Sequence, residues 1–190
     1  SSTAGAARGG AFRRACAAPG GRGVALLGGL LQGGLRLDAL ALAALRVALD
    51  APGGEAAVGM RSGTGSTALS LAAATGSTET ARLLLDRGAD PHVRNNAGNT
   101  PLARAAMASG DAGLEVARLL LEAGVDVNGQ NKHGLTALHY ACYSSNLKVA
   151  ELLLQNGADQ HLRGNSGEAK GYAARAVRKA ELLALLARYD

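Results

Sequence analysis

Apolar and polar positions repeat along the second two thirds of the chain. Four segments align on their leading glycines, Gly65, Gly98, Gly134 and Gly167, which are 33, 36 and 33 residues apart. The first three each open an Ala/Leu-rich helical pattern, and a second apolar pattern follows each of them: ETARLLLDRGAD, LEVARLLLEAGVD and LKVAELLLQNGAD. Apolar residues at three- and four-residue spacings predict helices. Self-similarity at this period predicts stacked helix pairs, none of which can bury its apolar face alone.

Start and stop signals bound the predicted helices. A threonine stands before each first helix, where its hydroxyl can accept a free backbone N–H. Pro101 occupies a first helical position, where its missing donor is harmless, and a glycine follows each Leu triplet, where a left-handed C-terminal cap is favoured. These positions are Thr67, Thr100 and Thr136 for the N-caps and Gly88, Gly124 and Gly157 for the glycines.

The repeated motifs resemble those of the ankyrin-repeat family. The matching residues are Thr100-Pro101-Leu102, the Thr-Ala-Leu-His run at 136–139, and the Leu-Leu-Leu-x-x-Gly-Ala/Val-Asp blocks at 83–90, 119–126 and 152–159. The resemblance runs from about Gly65 to the C-terminus. It implies an all-α ankyrin-repeat solenoid, in which helix–turn–helix units are joined by β-hairpin-like loops, and it assigns His139 to hydrogen bonding between repeats.

The same alignment divides the chain. We expect an Ala/Gly/Arg-rich disordered tail over 1–23, with a transit peptide as the alternative, and a degenerate repeat over 24–58. Repeats over 59–94, 95–129 and 130–162 follow, and a capping repeat over 163–190 ends the domain. In the capping unit Ala169-Lys170-Gly171-Tyr172 replaces the Thr-Pro-Leu-His pattern. Arg104, at a position that is apolar in the neighbouring units, is expected to snorkel or pair.

The amino-acid composition and the charge argue against some classes of function. Aromatic residues make up 3% of the 190 residues, with no Trp, while hydrophobic residues make up 47%. This favours a thin Ala/Leu-packed layer over a thick core, and it argues against nucleic-acid readers built on stacked aromatic platforms. The net charge of +5 is modest, so we expect no specific nucleic-acid partner. A cluster of basic residues near the C-terminus is expected to be a solvated end cap, with an acidic partner or an anionic surface as the alternative. The cluster comprises Arg163, Lys170, Arg175, Arg178 and Lys179.

Partners and location follow from similar arguments. The uncharged run over 24–35 is shorter than the roughly 20 apolar residues of a membrane span, so no span is predicted. Two cysteines, Cys16 and Cys142, cannot build a disulfide framework. The chain contains no N-x-S/T glycosylation sequence, so this signal gives no indication of secretion. We therefore expect an intracellular monomer in cytoplasm or nucleus that binds a partner protein, with organelle import by the tail as an alternative.

Catalytic and cofactor chemistry finds little support. The Gly-rich loop over 59–67 precedes a helix and is an alternative site for a nucleotide or phosphate, but it lacks the Lys of a P-loop. A repeat-joining loop that ends in an N-cap at Thr67 explains it more simply. The four histidines are too dispersed for a metal site, and Cys142 is interpreted as a buried small apolar residue. We predict no enzyme activity, metal or cofactor.

The resemblance also implies where a partner binds. Ankyrin repeats hold partners on the tips of the inter-repeat loops and on the exposed side of the first helices, which together form one concave strip. In this chain the concave strip comprises Asn96, Ala97, Asn99, Met107, Lys132, His133, Leu135, Tyr143, Asn165, Ser166 and Glu168. The chain is interpreted as a non-catalytic interaction module, with the ankyrin portion of a larger enzyme, channel or adaptor as the alternative.

The Val127-Asn128 step raises one further hypothesis. Many ankyrin repeats carry a Val-Asn step, and here a Leu stands eight residues earlier, at Leu120. By this resemblance, Asn128 is a hypothetical hydroxylation site in a cell that has an asparaginyl hydroxylase. The simpler interpretation is that the Asn128 side chain ties the base of its loop by hydrogen bonds.

Overall fold

The described part of the molecule begins at the end of the degenerate repeat. The computed structural model describes residues 58–108, 112–165, 167–169, 172 and 179–189. The predicted tail over 1–23 and nearly all of the predicted repeat over 24–58 lie outside these residues. Ser166 and most of the residues over 170–178 of the predicted capping repeat also lie outside them. The structure therefore covers the three clear repeats except for 109–111, and part of the capping repeat.

These residues form helix pairs, as the repeat pattern predicts. The described ranges contain seven helices: α1 (Ala68–Thr75), α2 (Thr78–Asp86), α3 (Pro101–Ala106), α4 (Ala112–Glu122), α5 (Ala137–Tyr143), α6 (Leu147–Gln155) and α7 (Lys179–Leu186). Helices α1, α3 and α5 are the first helices of their repeats, and α2, α4 and α6 are the second helices. Within the same ranges the one extended pairing is an isolated bridge between Gly164 and Gly167. The predicted all-α fold is confirmed.

The predicted caps fix where the first helices begin. The Thr67 hydroxyl accepts from the Ser70 N–H at 3.3 Å, and the Thr100 hydroxyl accepts from the Ala103 N–H at 3.2 Å. Pro101 is the first residue of α3, as expected. The predicted glycine caps are also in place, because the glycines that follow α2, α4 and α6 have φ angles of +81°, +79° and +83°. These signals are local, so the sequence predicts them well.

Leucines and alanines build a continuous core across the repeats. Each helix contributes at least one leucine with no exposed surface, and these are Leu69, Leu84, Leu102, Leu120, Leu138, Leu153, Leu182 and Leu186. The alanine pairs of α1 and α3 are fully buried, as is Ala141 of α5. Helix α3 packs against both α1 and α5. Small side chains let the first helices stack closely, and the second helices cover them from one side.

Candidate functional site

The loops between repeats form a row of joined hairpins. Each hairpin closes on itself, as in the bond from the Asn95 N–H to the Asn99 carbonyl at 3.0 Å. Neighbouring hairpins are also joined through their backbones: the Lys132 N–H donates to the Ala97 carbonyl at 3.1 Å, and the Asn165 N–H donates to the His133 carbonyl at 3.0 Å. This ladder brings residues from three repeats into one row, which is the arrangement that a shared binding surface requires.

A second ladder, made of side chains, runs beside the backbone ladder. Arg61 donates to the carbonyls of Gly65 and Arg94, and Arg94 donates in turn to those of Gly98 and Gln130. Gln130 repeats the pattern with the carbonyls of Gly134 and Arg163. Each of these side chains thus bridges its own hairpin to the next. This role is not among those predicted from the sequence, although Arg61, Arg94 and Gln130 occupy equivalent positions in their repeats and could have indicated it.

Most of the predicted concave strip is accessible. Among the loop-tip residues, Asn96, Lys132, His133 and Asn165 are exposed, while Ala97 and Glu168 are half-buried. Of the helix positions, Tyr143 is 68% exposed and Met107 is 39% exposed. Ser166 lies outside the described residues. Met107 directly follows α3 and Tyr143 ends α5, so two large apolar side chains lie at equivalent positions of neighbouring repeats.

Asn99 differs from the rest of the concave strip. It is 9% exposed and its Oδ1 accepts from the Asn131 Nδ2 at 2.7 Å and from the Tyr140 hydroxyl at 3.1 Å. Asn131 also donates to the Tyr140 hydroxyl, at 2.9 Å. Asn99 is thus one of the predicted loop-tip residues, but its side chain does not lie on the exposed surface of the concave strip. This side chain is turned inward because a polar triad across two repeats satisfies its amide.

Leu135 is the leucine of the predicted loop tips. It is half-buried and lines a pocket of about 180 Å³ together with His139, Tyr140, Tyr143 and Tyr172. We call these five residues the tyrosine pocket. The chain has four tyrosines, and three of them meet here, at the junction of the third clear repeat with the capping unit. The wall of the pocket is apolar, so an apolar side chain is the group that it suits.

His139 holds one wall of the tyrosine pocket in place. Its Nδ1 accepts from the Thr136 N–H at 3.2 Å and lies 2.8 Å from the Thr136 hydroxyl, while Nε2 lies 3.3 Å from the Gly167 carbonyl. These partners define a neutral ring protonated at Nε2. The ring meets Tyr172 edge to face at 5.1 Å between centroids. Burial lowers the His139 pKa, against smaller raising effects of backbone hydrogen bonds at Gly167 and Leu162. The expected bond between repeats is present.

Arg104 stands on α3 at the position that Tyr140 takes on α5. It is half-buried, and its Nε is shielded from solvent without a hydrogen-bond acceptor. It forms no ion pair within the described ranges, where Arg118 pairs with Glu115 and Arg188 with Glu151. Of the two expectations for Arg104, pairing is not met within the described residues.

The alternative phosphate loop is a hairpin of the same kind as the others. The Ser62 N–H donates to the Ser66 carbonyl at 2.9 Å and the Gly65 N–H to the Ser62 carbonyl at 2.8 Å. These amides are therefore occupied within the loop rather than directed at an anion. The interpretation as a repeat-joining loop that ends in an N-cap is the one that this geometry supports.

Two further positions have structural roles. Burial raises the pKa of the Cys142 thiol to about 12, which agrees with a buried small apolar residue. The Asn128 side chain donates to the Gly157 carbonyl at 3.1 Å and accepts from the Asp159 N–H at 2.8 Å. It thus ties its loop to the next repeat rather than to its own loop base.

In the described part of the chain, no three His, Cys, Asp or Glu side chains group as metal ligands. No helix there is long and apolar enough to span a bilayer.

Comparison with known proteins agrees with the repeat geometry. A family model for ankyrin repeats, in three copies, matches residues 39–131 and 69–164. A search of curated proteins returns no match. The matched region covers more than half of the chain, and it contains the stacked helix pairs, the joined hairpins and the Thr-x-Leu-His motif described above. The chain belongs to the ankyrin-repeat family.

Proposed function

We infer that this chain is a non-catalytic module that binds a partner protein on its concave strip. Ankyrin repeats are protein-interaction modules in general. The observation that carries the finer proposal is the exposed pair Met107 and Tyr143, at 39% and 68%. Within the described residues, the one other exposed large hydrophobic side chain is Tyr189. Exposed aromatic and Met side chains are enriched at the cores of interfaces.

The rim of the concave strip suits an interface as well. Polar and charged side chains from three hairpins of the same strip, including Asn96, Lys132 and Asn165, are exposed as well. An apolar centre with a polar rim is the usual anatomy of a specific interface. A standard interface needs roughly 800 Å² per partner, and a strip that crosses three adjacent repeats offers a surface of that order.

Pull-down followed by mass spectrometry identifies the partner, and a double substitution then locates its site. Tyr143→Ala with Lys132→Glu removes the central aromatic residue and reverses a rim charge. We expect the partner to bind at least about tenfold more weakly, since loss of a central aromatic residue costs about 2 kcal/mol or more.

The matched control is Tyr189→Ala with Arg82→Glu. It also removes one exposed tyrosine ring and reverses one exposed positive charge, but away from the concave strip. Circular dichroism must show unchanged helicity in both double variants. If the partner binds the Tyr143/Lys132 variant with the affinity of the wild type, the concave strip is not its site.

A further inference from the structure

The tyrosine pocket has the dimensions of a receptor for one side chain. Its volume of about 180 Å³ compares with the roughly 150 Å³ of an apolar cavity that holds one benzene molecule. Leu135, Tyr140 and Tyr143 supply an apolar wall that opens on the concave strip. A leucine, isoleucine, methionine or phenylalanine side chain fits these limits, whereas a polar group would lose its hydrogen bonds to water there.

Charge around the tyrosine pocket favours an acidic ligand. Arg104 lies on the neighbouring first helix, Lys132 on the hairpin that carries Leu135, and Arg163 on the capping hairpin. None of the three has an acidic partner among the residues that the structure describes. Glu168 is the one acidic side chain of the described first helices and hairpins, over 60–75, 94–108, 130–144 and 163–169. A cationic ligand would meet net repulsion here.

The opposite side of the repeats does not share this character. The second helices α2, α4 and α6 carry three basic and five acidic side chains. One of the basic residues, Arg118, is paired with Glu115 at 3.7 Å. The exposed aspartates Asp90, Asp126 and Asp159 lie in the turns after these helices, where each accepts a backbone N–H. The hairpins and first helices, which carry the tyrosine pocket, are thus net positive, whereas the second helices and the turns after them are net negative.

We propose that the partner of the concave strip is an acidic peptide segment that places one large apolar side chain in the tyrosine pocket. This rests on the proposed function and specifies the chemistry of the partner. The apolar side chain is held by the rings of Tyr140, Tyr143 and Tyr172, and flanking carboxylates face Arg104 and Lys132. The pocket supplies the anchor, and the basic rim selects acidic segments over basic ones.

Selection from a random peptide library displayed on phage tests the proposal without a known partner. The wild-type chain is immobilised, and enriched sequences are compared with those from a blank surface. We expect enriched peptides to combine aspartate or glutamate with one large apolar residue. Enrichment of lysine- or arginine-rich peptides, of peptides without a large apolar residue, or of no peptide at all overturns the proposal.

Fluorescence anisotropy with the best enriched peptide then locates its site. We expect Tyr143→Ala to weaken binding at least about tenfold and Lys132→Glu to weaken it several-fold, with the Lys132 effect diminishing at high salt. The controls Tyr189→Ala and Arg82→Glu should leave the affinity unchanged. Equal affinity for the wild type and Tyr143→Ala also overturns the proposal.

The two experiments fail separately. If the pulled-down partner depends on the concave strip but the selected peptides carry no acidic bias, the proposed function stands and the acidic peptide is wrong. If the selected peptides behave as expected but the pulled-down partner binds the Tyr143/Lys132 double variant normally, the pocket binds peptides and the proposed function is wrong.

Discussion

The contact between neighbouring hairpins is tested by Gly98→Ala. Gly98 has a φ angle of +83°, in a region where an L-residue is disfavoured by roughly 1–2 kcal/mol. A Cβ there would also lie 2.9 Å from the Lys132 backbone nitrogen and 3.2 Å from the Asn131 Cα. Both neighbours are backbone atoms, so relief requires the hairpins to move apart. That movement strains the bond from the Lys132 N–H to the Ala97 carbonyl.

Gly124→Ala is the matched control, since it carries the strain without the contact. Gly124 has a φ angle of +79°, and a Cβ there would meet nothing within 4 Å. The effect of alanine on the unfolded chain is the same at both positions and cancels in the comparison. We expect Gly124→Ala to lower the free energy of unfolding by about 1–2 kcal/mol. Gly98→Ala should lower it by a further 1–3 kcal/mol or so, the usual range for overpacking.

Urea denaturation followed by circular dichroism at 222 nm measures the difference. The relevant quantity is the difference in the free energy of unfolding between the two variants, compared at equal dependence on urea concentration. Equal losses of stability in the two variants would refute the reasoning, because they would mean that the hairpins separate without cost.

Three other predictions concern buried groups. Tyr140→Phe removes the hydroxyl that donates to Asn99, and urea denaturation should show a loss of about 1 kcal/mol; no loss would mean that the hydrogen bonds of this hydroxyl do not stabilise the fold. Because burial lowers the His139 pKa below its usual 6.5, the unfolded chain binds the proton first on acidification. Stability is then full above pH 6.5 and falls as the pH drops toward the lower folded value, and in His139→Gln this part of the pH dependence should vanish. The Cys142 thiol, with a pKa of about 12, should resist iodoacetamide at pH 8 until urea unfolds the chain. Peptide mapping that separates Cys142 from Cys16 measures this labelling, and rapid labelling of Cys142 in the native protein would contradict its burial.

Local rules explain what the sequence predicted correctly. The cap at Thr67, the helix start at Pro101 and the left-handed Gly124 each depend on a few neighbouring residues, so pattern and propensity suffice. The repeat period then predicts which helices stack. The helix caps and the stacking of the helices lie within the residues that the ankyrin-repeat model matches.

Long-range contacts explain what the sequence missed. The burial of Asn99 depends on Asn131 and Tyr140, which are 32 and 41 residues away in the chain. The tyrosine pocket likewise needs Tyr172 from the capping unit to meet Tyr143. Position in a repeat predicts the face on which a residue lies, but not which partner from the next repeat draws its side chain inward.

Departures from the repeat pattern concentrate at the junction that forms the tyrosine pocket. Gly164 stands where the second and third hairpins have Asn95 and Asn131 and the first has Ser62. The Oδ1 of each of those asparagines accepts two backbone N–H groups of its own hairpin. Leu135 instead occupies the space that a side chain at Gly164 would fill. A Cβ added to Gly164 would overlap the Cδ2 atom of Leu135. The capping hairpin thus gives up two hydrogen bonds, and Leu135 takes the vacated position in the pocket wall.

Gly164→Asn therefore sets hairpin stability against the pocket. The new side chain restores the hydrogen bonds of the other hairpins but displaces Leu135 from the wall. We expect the midpoint of urea unfolding to stay level or rise while the affinity for a selected acidic peptide falls several-fold. An affinity equal to that of the wild type would show that Leu135 plays no part in the pocket. A parallel loss of stability and affinity would show instead that the junction tolerates no side chain at this position, so that Gly164 is required by packing alone.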